Sequence, residues 1–130
     1  EGFVDILKVD IDSFDAGVLD AALDVLDASI VIAEFQFVFP PPFLFARHYA
    51  SEVNLGSAAF FGVSLSYLVD HLARRGFFFY KMNELDAVWI HSSVAERFAA
   101  AEREEGLLAF PVDEWACYLQ TPFYLGDSRT

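Results

Sequence analysis

The stretch LKVDIDSFD at positions 7–15 decides the fold of this chain. Its first residues end an apolar run, Phe3–Val9, which has the short, mostly β-branched character of a buried parallel strand. The polar residues that follow end the strand, and Asp12 or Ser13 is placed to cap a helix, because either side chain accepts the free amides of a first turn. A strand that passes through a polar turn into a helix is the beginning of a βαβ unit.

The rest of the chain continues this alternation of helices and strands. Apolar side chains recur at helical spacing from Phe14 to Leu26, and a second apolar run, Ile30–Phe35, carries the acid Glu34 near its end. The further predicted elements are a helix from Ser64 to a glycine cap at Gly76, strands at Phe77–Lys81 and Ala87–His91, a helix from the capping box of Ser93 and Glu96 to about Glu104, and a short helix at Pro111–Leu119 before a loose tail.

These elements predict an α/β fold. Strands separated by helices form a parallel sheet with helices on its faces. The turn between Lys81 and Ala87 is too short for a crossover, so the last two strands form a hairpin that adds one antiparallel strand. Ligands of such sheets bind at the carboxyl ends of the strands, and the residues there are the first candidates for a site.

Carboxylates follow both of the first two strands. Asp12 and Asp15 each have a structural explanation, because Asp12 can cap the helix and Asp15 lies at the positive end of its dipole. Asp10 has no capping role, so a functional role is favoured there. If the two strands are neighbours, Asp10 and Glu34 face one crevice, where crowded carboxylates suit a hard cation or general-base chemistry.

A segment rich in phenylalanine and proline, residues 36–62, follows the second strand. Its three prolines at positions 40–42 exclude regular structure, and loops this long are usually functional or disordered. This one is too apolar for disorder, so it is expected either to wall a pocket for an apolar or planar substrate, with Gln36 as a polar contact, or to cover the sheet as a rigid plug. His48 or His91 is a candidate general base, although a single histidine is weak evidence.

Composition excludes several classes of function. The chain has 130 residues, a formal net charge of −12 and 55% hydrophobic residues, which fits one acidic domain and not a disordered tail. A chain this acidic is not expected to bind nucleic acid, because that affinity requires Lys and Arg on the phosphates. The single cysteine, Cys117, excludes an intramolecular disulfide. The longest uncharged run, Val53–Val69, is shorter and more polar than the ~20 apolar residues of a membrane span.

The acidic stretch and the second strand together resemble a known family. Residues 5–15, followed by Val18 and Leu19 and by Ile30–Glu34, are similar to the fourth and fifth strand region of class I methyltransferases that use S-adenosylmethionine, in particular the FkbM-type branch. That branch has an "lKiDvEGxE"-like stretch before a helix and a second strand that ends in an acid.

Individual positions match the family stretch to different degrees. Lys8 and Asp10 match it, Asp12 stands for the usual Glu, and Asp15 stands for the second acid. Ser13 replaces the usual Gly, which is a departure from the pattern. The hairpin at residues 77–91 is similar to the antiparallel sixth and seventh strands that close the methyltransferase sheet.

The resemblance covers roughly residues 3–91 and implies a Rossmann-like methyltransferase sheet that is only partly present. It implies that residues 1–110 are the C-terminal portion of such a domain and that residues 111–130 are a short helix and a loose tail. The glycine-rich cofactor loop and the ribose-binding acid of the family have no counterpart in this sequence. Together with a first residue, Glu1, that is not Met, this leads us to expect the second half of a larger domain.

The resemblance also assigns roles and partners. It implies methyl transfer from S-adenosylmethionine to a hydroxyl of a small molecule or sugar, with Asp10 and Asp12 near the methyl group and acceptor, and Asp10 also in contact with the cofactor. The residues implied in holding the acceptor are Glu34, Gln36, Phe37 and His48. We expect no nucleic-acid or membrane partner. The edge of the first strand is expected to dock the missing N-terminal half or to drive self-association.

Two other classes of function stay open. Asp10-Ile11-Asp12 after an apolar strand also resembles the D-x-D cluster of metal-dependent glycosyltransferases and the nucleophile motif of haloacid-dehalogenase-like hydrolases, although two acids at this spacing arise often by chance. A non-catalytic binding or scaffold remnant is the third interpretation. The sequence that precedes Glu1 would discriminate, because a strand, a glycine-rich turn and an acid about 20 residues later would support the methyltransferase.

Overall fold

The computed structural model describes residues 2–49, 61–105 and 113–119. Within these residues it contains strands and helices in the expected alternation, with a hairpin at the end of the sheet. In chain order the elements are β1 (Gly2–Val9), α1 (Asp15–Leu23), β2 (Leu26–Glu34), α2 (Leu65–Ala73), β3 (Phe77–Asn83), β4 (Asp86–His91), α3 (Ser92–Glu105) and α4 (Glu114–Tyr118).

The four strands form one mixed sheet in the order β1-β2-β4-β3. β1 and β2 are parallel, because α1 carries the chain back to the starting edge between them. β4 is antiparallel to both of its neighbours and lies between β2 and β3. The α/β class and the single reversed strand of the hairpin are therefore as predicted, and the sheet is mixed, not wholly parallel.

The helix ends show where the sequence prediction was wrong. Asp12 and Ser13 do not cap α1, whose N-cap residue is Phe14 without a side-chain hydrogen bond. Asp12 instead has a left-handed backbone, with φ of 55°. The predicted capping box at Ser93 is also wrong, because α3 begins at Ser92 and Nδ1 of His91 accepts the Ser93 amide at 3.2 Å.

Other predicted boundaries shift by a few residues. β2 begins at Leu26, four residues before the predicted start at Ile30, because strand pairing with β1 overrides the polar residues in this segment. The cap of α2 is confirmed, since the Ser64 hydroxyl accepts the Tyr67 amide at 3.2 Å. The last helix begins at Glu114, after a cap at Asp113, and the predicted loose tail from residue 120 lies outside the described residues.

The core joins the sheet to α1 and α2. Side chains from both helices and from β2, β3 and β4 form one buried cluster. α3 contacts β4, and α4 contacts β3 and α2. The largest fully buried side chains include Trp89, Phe35, Leu19, Leu65, Leu68 and Leu72. Two helices packed on a sheet fix the positions of the strand ends, and this is what matters for the candidate site.

β1 is the outer strand of the sheet on the side away from the hairpin. The prediction of a buried strand here was wrong, because an edge strand is covered on one side only: Phe3 is 65% exposed and Ile6 is 56% exposed, and of β1 only Val9 is buried. Apolar edge strands favour association, so docking or self-association at β1 stays a prediction. None of the helices in the described part of the chain is long and apolar enough to cross a lipid bilayer.

Candidate functional site

Three carboxylates come together at the carboxyl ends of β1 and β2. Asp10 follows β1 and Glu34 ends β2, and the parallel register pairs Val9 with Ala33, which brings the two acids side by side. Each of Asp10, Asp12 and Glu34 has a carboxylate oxygen within 4.8 Å of the others. We call these three residues the acid cluster. Asp10 and Asp12 are exposed and Glu34 is half-buried, so the cluster lies at the surface with one member partly withdrawn from water.

The acid cluster changes the proton affinity of Glu34. Burial is the largest cause, followed by a hydrogen bond with Asp10 and by the negative charges of Asp10, Asp12 and Asp15, and together they raise the pKa of Glu34 to about 7. Each cause acts in the same direction, because burial and neighbouring anions both disfavour the ionised carboxylate. Glu34 therefore holds a proton on one side of neutral pH and releases it on the other.

A lysine on β1 partly balances the charge of the cluster. Lys8 Nζ lies 3.3 Å from Asp10 Oδ2 and 3.0 Å from Asp86 Oδ2. The hydrogen bond with Asp86, and after it the one with Asp10, raises the pKa of Lys8. Among the described residues, Lys8 is the only cation in an ion pair with the acid cluster. The sequence showed Lys8 in the motif but gave Asp86 no role, because that contact depends on β4 pairing with β2 so that Glu34 faces Asp86.

The turn between β1 and α1 is held by a buried carboxylate. Asp15 is 3% exposed, and its two oxygens accept the amides of Ile11 and Ser13 at 3.0 Å and 3.1 Å. The Ser13 carbonyl in turn accepts the Gly62 amide at 2.9 Å. The turn that carries Asp12 is thus attached both to α1 and to the segment that enters α2.

A closely packed crevice, too small to hold a water molecule, lies beside the acid cluster. Gln36 borders it, and the backbone amide of Gln36 donates to the Val63 carbonyl at 2.7 Å. Gly62, with φ of 72°, comes so close that a β-carbon there would lie 3.1 Å from Cγ of Gln36, so a side chain would press on Gln36. The lining residues are Asp12, Asp15, Glu34, Phe35, Gln36, Phe61 and Gly62. Gln36, Phe61 and Gly62 are therefore the described residues of the aromatic segment that lie with the carboxylates.

Phe37 lies elsewhere. It is half-buried against the hydrophobic core, and its carbonyl accepts the Tyr118 hydroxyl at 2.6 Å. Further along the segment, Phe39 and Phe45 stack with ring centroids 4.2 Å apart. This part of the segment packs on itself and on the core, as the plug interpretation expected, while residues 50–60 lie outside the described part of the chain.

His48 is also separate from the acid cluster. It is exposed and lines another cavity, of about 410 Å³, together with Tyr67 and His71. His71 is half-buried, and its Nε2 lies 2.6 Å from Oδ1 of Asp20. Of the six candidate site residues, the structure brings together Asp10, Asp12, Glu34 and Gln36, and leaves Phe37 and His48 apart.

The arrangement offers two kinds of chemistry. A carboxyl group with a pKa of about 7 can take a proton from a reacting hydroxyl near neutral pH. Three carboxylates within 4.8 Å can also attract a cation, whether a metal ion or an organic one. Comparisons of the chain with protein-family models, with curated proteins and with solved structures give no match.

Proposed function

We propose that this chain is part of a methyltransferase that uses S-adenosylmethionine and transfers the methyl group to a hydroxyl of a small molecule or sugar. The observation that carries the proposal is Glu34, whose carboxyl has a pKa of about 7 and lies beside Asp10 and Asp12 at the carboxyl edge of two parallel strands. This edge is where α/β sheets bind their ligands.

The sheet supports the proposal at the level of architecture. The parallel pair β1-β2, joined by α1, agrees with the resemblance of residues 5–34 to the fourth and fifth strands of such enzymes. The reversed strand β4, which lies against β2, agrees with the resemblance of the hairpin to the antiparallel strands that close their sheet.

The acid cluster fits the charge of the proposed cofactor. S-Adenosylmethionine supplies an activated methyl group on a sulfonium cation when it is bound. Three carboxylates partly balanced by one lysine leave a net negative potential, which favours a cation at the crevice. Asp10 is the residue proposed to contact the cofactor, and the glycine-rich loop would come from outside the sequence given.

The proposed base is Glu34. A hydroxyl that approaches the acid cluster would donate its hydrogen bond to the ionised Glu34 carboxylate, which then takes the proton. Burial, the hydrogen bond with Asp10 and the nearby charges raise the affinity of Glu34 for that proton, so the base is matched to neutral pH. The side-chain amide of Gln36 lies beside Glu34 and would hold a second oxygen of the acceptor. Correct alignment of acceptor and methyl group would supply most of the rate.

The test is methyl transfer by the polypeptide of the complete reading frame that contains these residues. Formation of S-adenosylhomocysteine is measured from pH 5.5 to 9 with a panel of monosaccharides and small phenols as acceptors. We expect kcat/KM to rise with pH and to level off above about pH 7, and Glu34→Gln to lower it by about 100-fold or more.

A matched control is Glu96→Gln, because Glu96 is an exposed acid on α3. It should leave the rate and its pH profile unchanged. The proposal fails if Glu34→Gln retains the wild-type rate and pH profile, or if no acceptor is methylated and S-adenosylhomocysteine does not bind.

The second candidate is a metal-dependent transferase or hydrolase, and the convergence of the acid cluster favours it. Asp10, Asp12 and Glu34 offer the oxygen ligands that Mg²⁺ prefers. A magnesium titration followed by a phosphatase assay and a glycosyl-transfer assay separates the two candidates. Turnover that requires Mg²⁺ and not S-adenosylmethionine would replace the methyltransferase, and absence of any such turnover would remove this alternative.

A further inference from the structure

The turn that carries Asp12 is held by the side chain of Asp15. Asp15 is the first residue of α1, where a carboxylate commonly caps its own helix or lies near the helix dipole. Its side chain instead points back along the chain, and both oxygens accept amides that precede α1, those of Ile11 and Ser13. Because Asp15 is 3% exposed, its carboxylate is largely withdrawn from water and depends on the hydrogen bonds from these two amides.

The two hydrogen bonds enclose Asp12. Its backbone has φ of 55°, a left-handed conformation that residues with a side chain adopt at a cost in free energy. Such conformations persist where the surrounding structure holds them. Here the residues on either side, Ile11 and Ser13, are both attached to the same buried carboxylate, so Asp12 has little freedom to relax.

We propose that Asp15 is a positioning residue: its buried carboxylate holds the turn at residues 11–13 so that the Asp12 carboxylate stays beside Asp10 and Glu34. Asp15 does not touch a reacting group in this role and acts through Asp12. The importance of the role for catalysis rests on the proposed function, but the positioning itself concerns the chain alone and is testable without any substrate.

The readout is the titration of the Glu34 side chain in the whole chain, followed by the ¹³C shift of its carboxyl group. The charged groups around Glu34 are Asp10, Asp12 and Asp15, with Asp86 opposite it on β4 and Lys8 paired to both Asp10 and Asp86. Asp15→Asn keeps the size of the side chain but can accept only one of the two amides well. We expect it to release Asp12 and to lower the Glu34 midpoint by about half a pH unit or more.

A double-mutant cycle separates positioning from the charge of Asp15 itself. The charge of Asp15 acts directly on Glu34 as well, so if Asp15 also acts through Asp12, the shift of the Glu34 midpoint in the double variant Asp12→Asn with Asp15→Asn is clearly smaller than the sum of the two single shifts. Fully additive shifts, or an unchanged midpoint in folded Asp15→Asn, would overturn the proposal. Asp27→Asn, at an exposed acid on β2, is the control and should leave the midpoint unchanged.

A measurement on the wild-type chain guards against a variant that does not fold. In the wild-type chain, amide hydrogen exchange of Ile11 and Ser13 needs no variant, and the proposal requires both amides to be protected at least about tenfold relative to an open turn. Exchange at the rate of an open turn overturns it. Methyl-transfer activity is not part of these measurements, so their failure and the failure of the proposed function are distinguishable.

Discussion

Two groups of acidic residues in this molecule have opposite electrostatic environments. Where α1 meets α2, both acids form ion pairs with one arginine: Asp20 lies 3.0 Å and Asp24 lies 2.9 Å from Arg75, and Asp20 also lies 2.6 Å from the ring of His71. The hydrogen bond with Asp24 is the main cause that raises the pKa of Arg75. We call these four residues the paired network. It joins two helices and leaves every charge with a partner of opposite sign.

The acid cluster at the ends of β1 and β2 lacks this balance. Lys8 is paired with Asp10, while burial and the charges of other carboxylates together raise the pKa of Glu34 to about 7. The comparison teaches how to separate structural acids from functional ones in a chain with a net charge of −12. Perturbed carboxylates crowded without cations are candidates for chemistry, whereas carboxylates matched with cations stabilise the fold.

The largest expected effect on stability comes from breaking the paired network. Asp20→Ala removes the acceptor shared by His71 and Arg75, and we expect the free energy of unfolding to fall by about 1–3 kcal/mol. The measurement is urea denaturation at pH 7. Asp27→Ala removes an exposed acid and should change the free energy of unfolding by no more than about 0.5 kcal/mol. Equal effects of the two variants would mean that the paired network contributes nothing to stability.

A second prediction uses the pH dependence of stability, where the acid cluster should behave in the opposite way. The pKa of Glu34 is about 7 in the folded chain and close to 4.5 in the unfolded chain, so the folded chain binds the proton more tightly. This contribution to stability is fully present below about pH 4.5 and is lost as the pH rises through 7. Because the carboxyl is only half-buried and partly screened, we expect the loss to be about 1–2 kcal/mol.

Glu34→Gln should remove this loss, since the amide does not ionise. Denaturation at pH 5 and pH 8 is the measurement, with Glu96→Gln as the control. The Glu34→Gln variant should match the wild-type chain at pH 5 and exceed it at pH 8, whereas Asp20→Ala is destabilised at both. A wild-type chain that is more stable at pH 8 than Glu34→Gln would contradict the raised pKa.

The sequence predicted the bounds of much of the sheet because short runs rich in apolar residues mark its strands. Phe3–Val9 and Phe77–Lys81 agree with β1 and β3 to within two residues at each end, although of β1 only Val9 is buried. The position of β4 between β2 and β3 was not predictable, because a hairpin can present either strand to its neighbour. The contact of Lys8 with Asp86 depends on that choice.

The candidate site was predictable where it depends on the strand ends. Asp10 and Glu34 follow from the parallel pairing of β1 and β2. The orientation of the turn did not follow from the sequence, because Asp12 and Asp15 both have strong capping preferences. In the structure the N-cap residue is Phe14, and the turn is held by a tertiary contact in which the Ser13 carbonyl accepts the Gly62 amide. His48 was misplaced for a different reason: a long loop gives no periodicity from which a direction can be inferred.

The smallest expected effect comes from placing a cation beside Glu34, which would make the acid cluster resemble the paired network. Gln36 borders the crevice, and Gln36→Lys would place a cation near Glu34, as Arg75 lies near Asp20 in the paired network. A neighbouring cation favours the ionised carboxylate, so the titration midpoint of Glu34 should fall from about 7 by roughly 1 pH unit. Gln36→Met, which has similar length and no charge, is the control. If both variants shift the midpoint equally, desolvation of the crevice and not its charge determines the proton affinity of Glu34, and the contrast between the two regions would rest on burial alone.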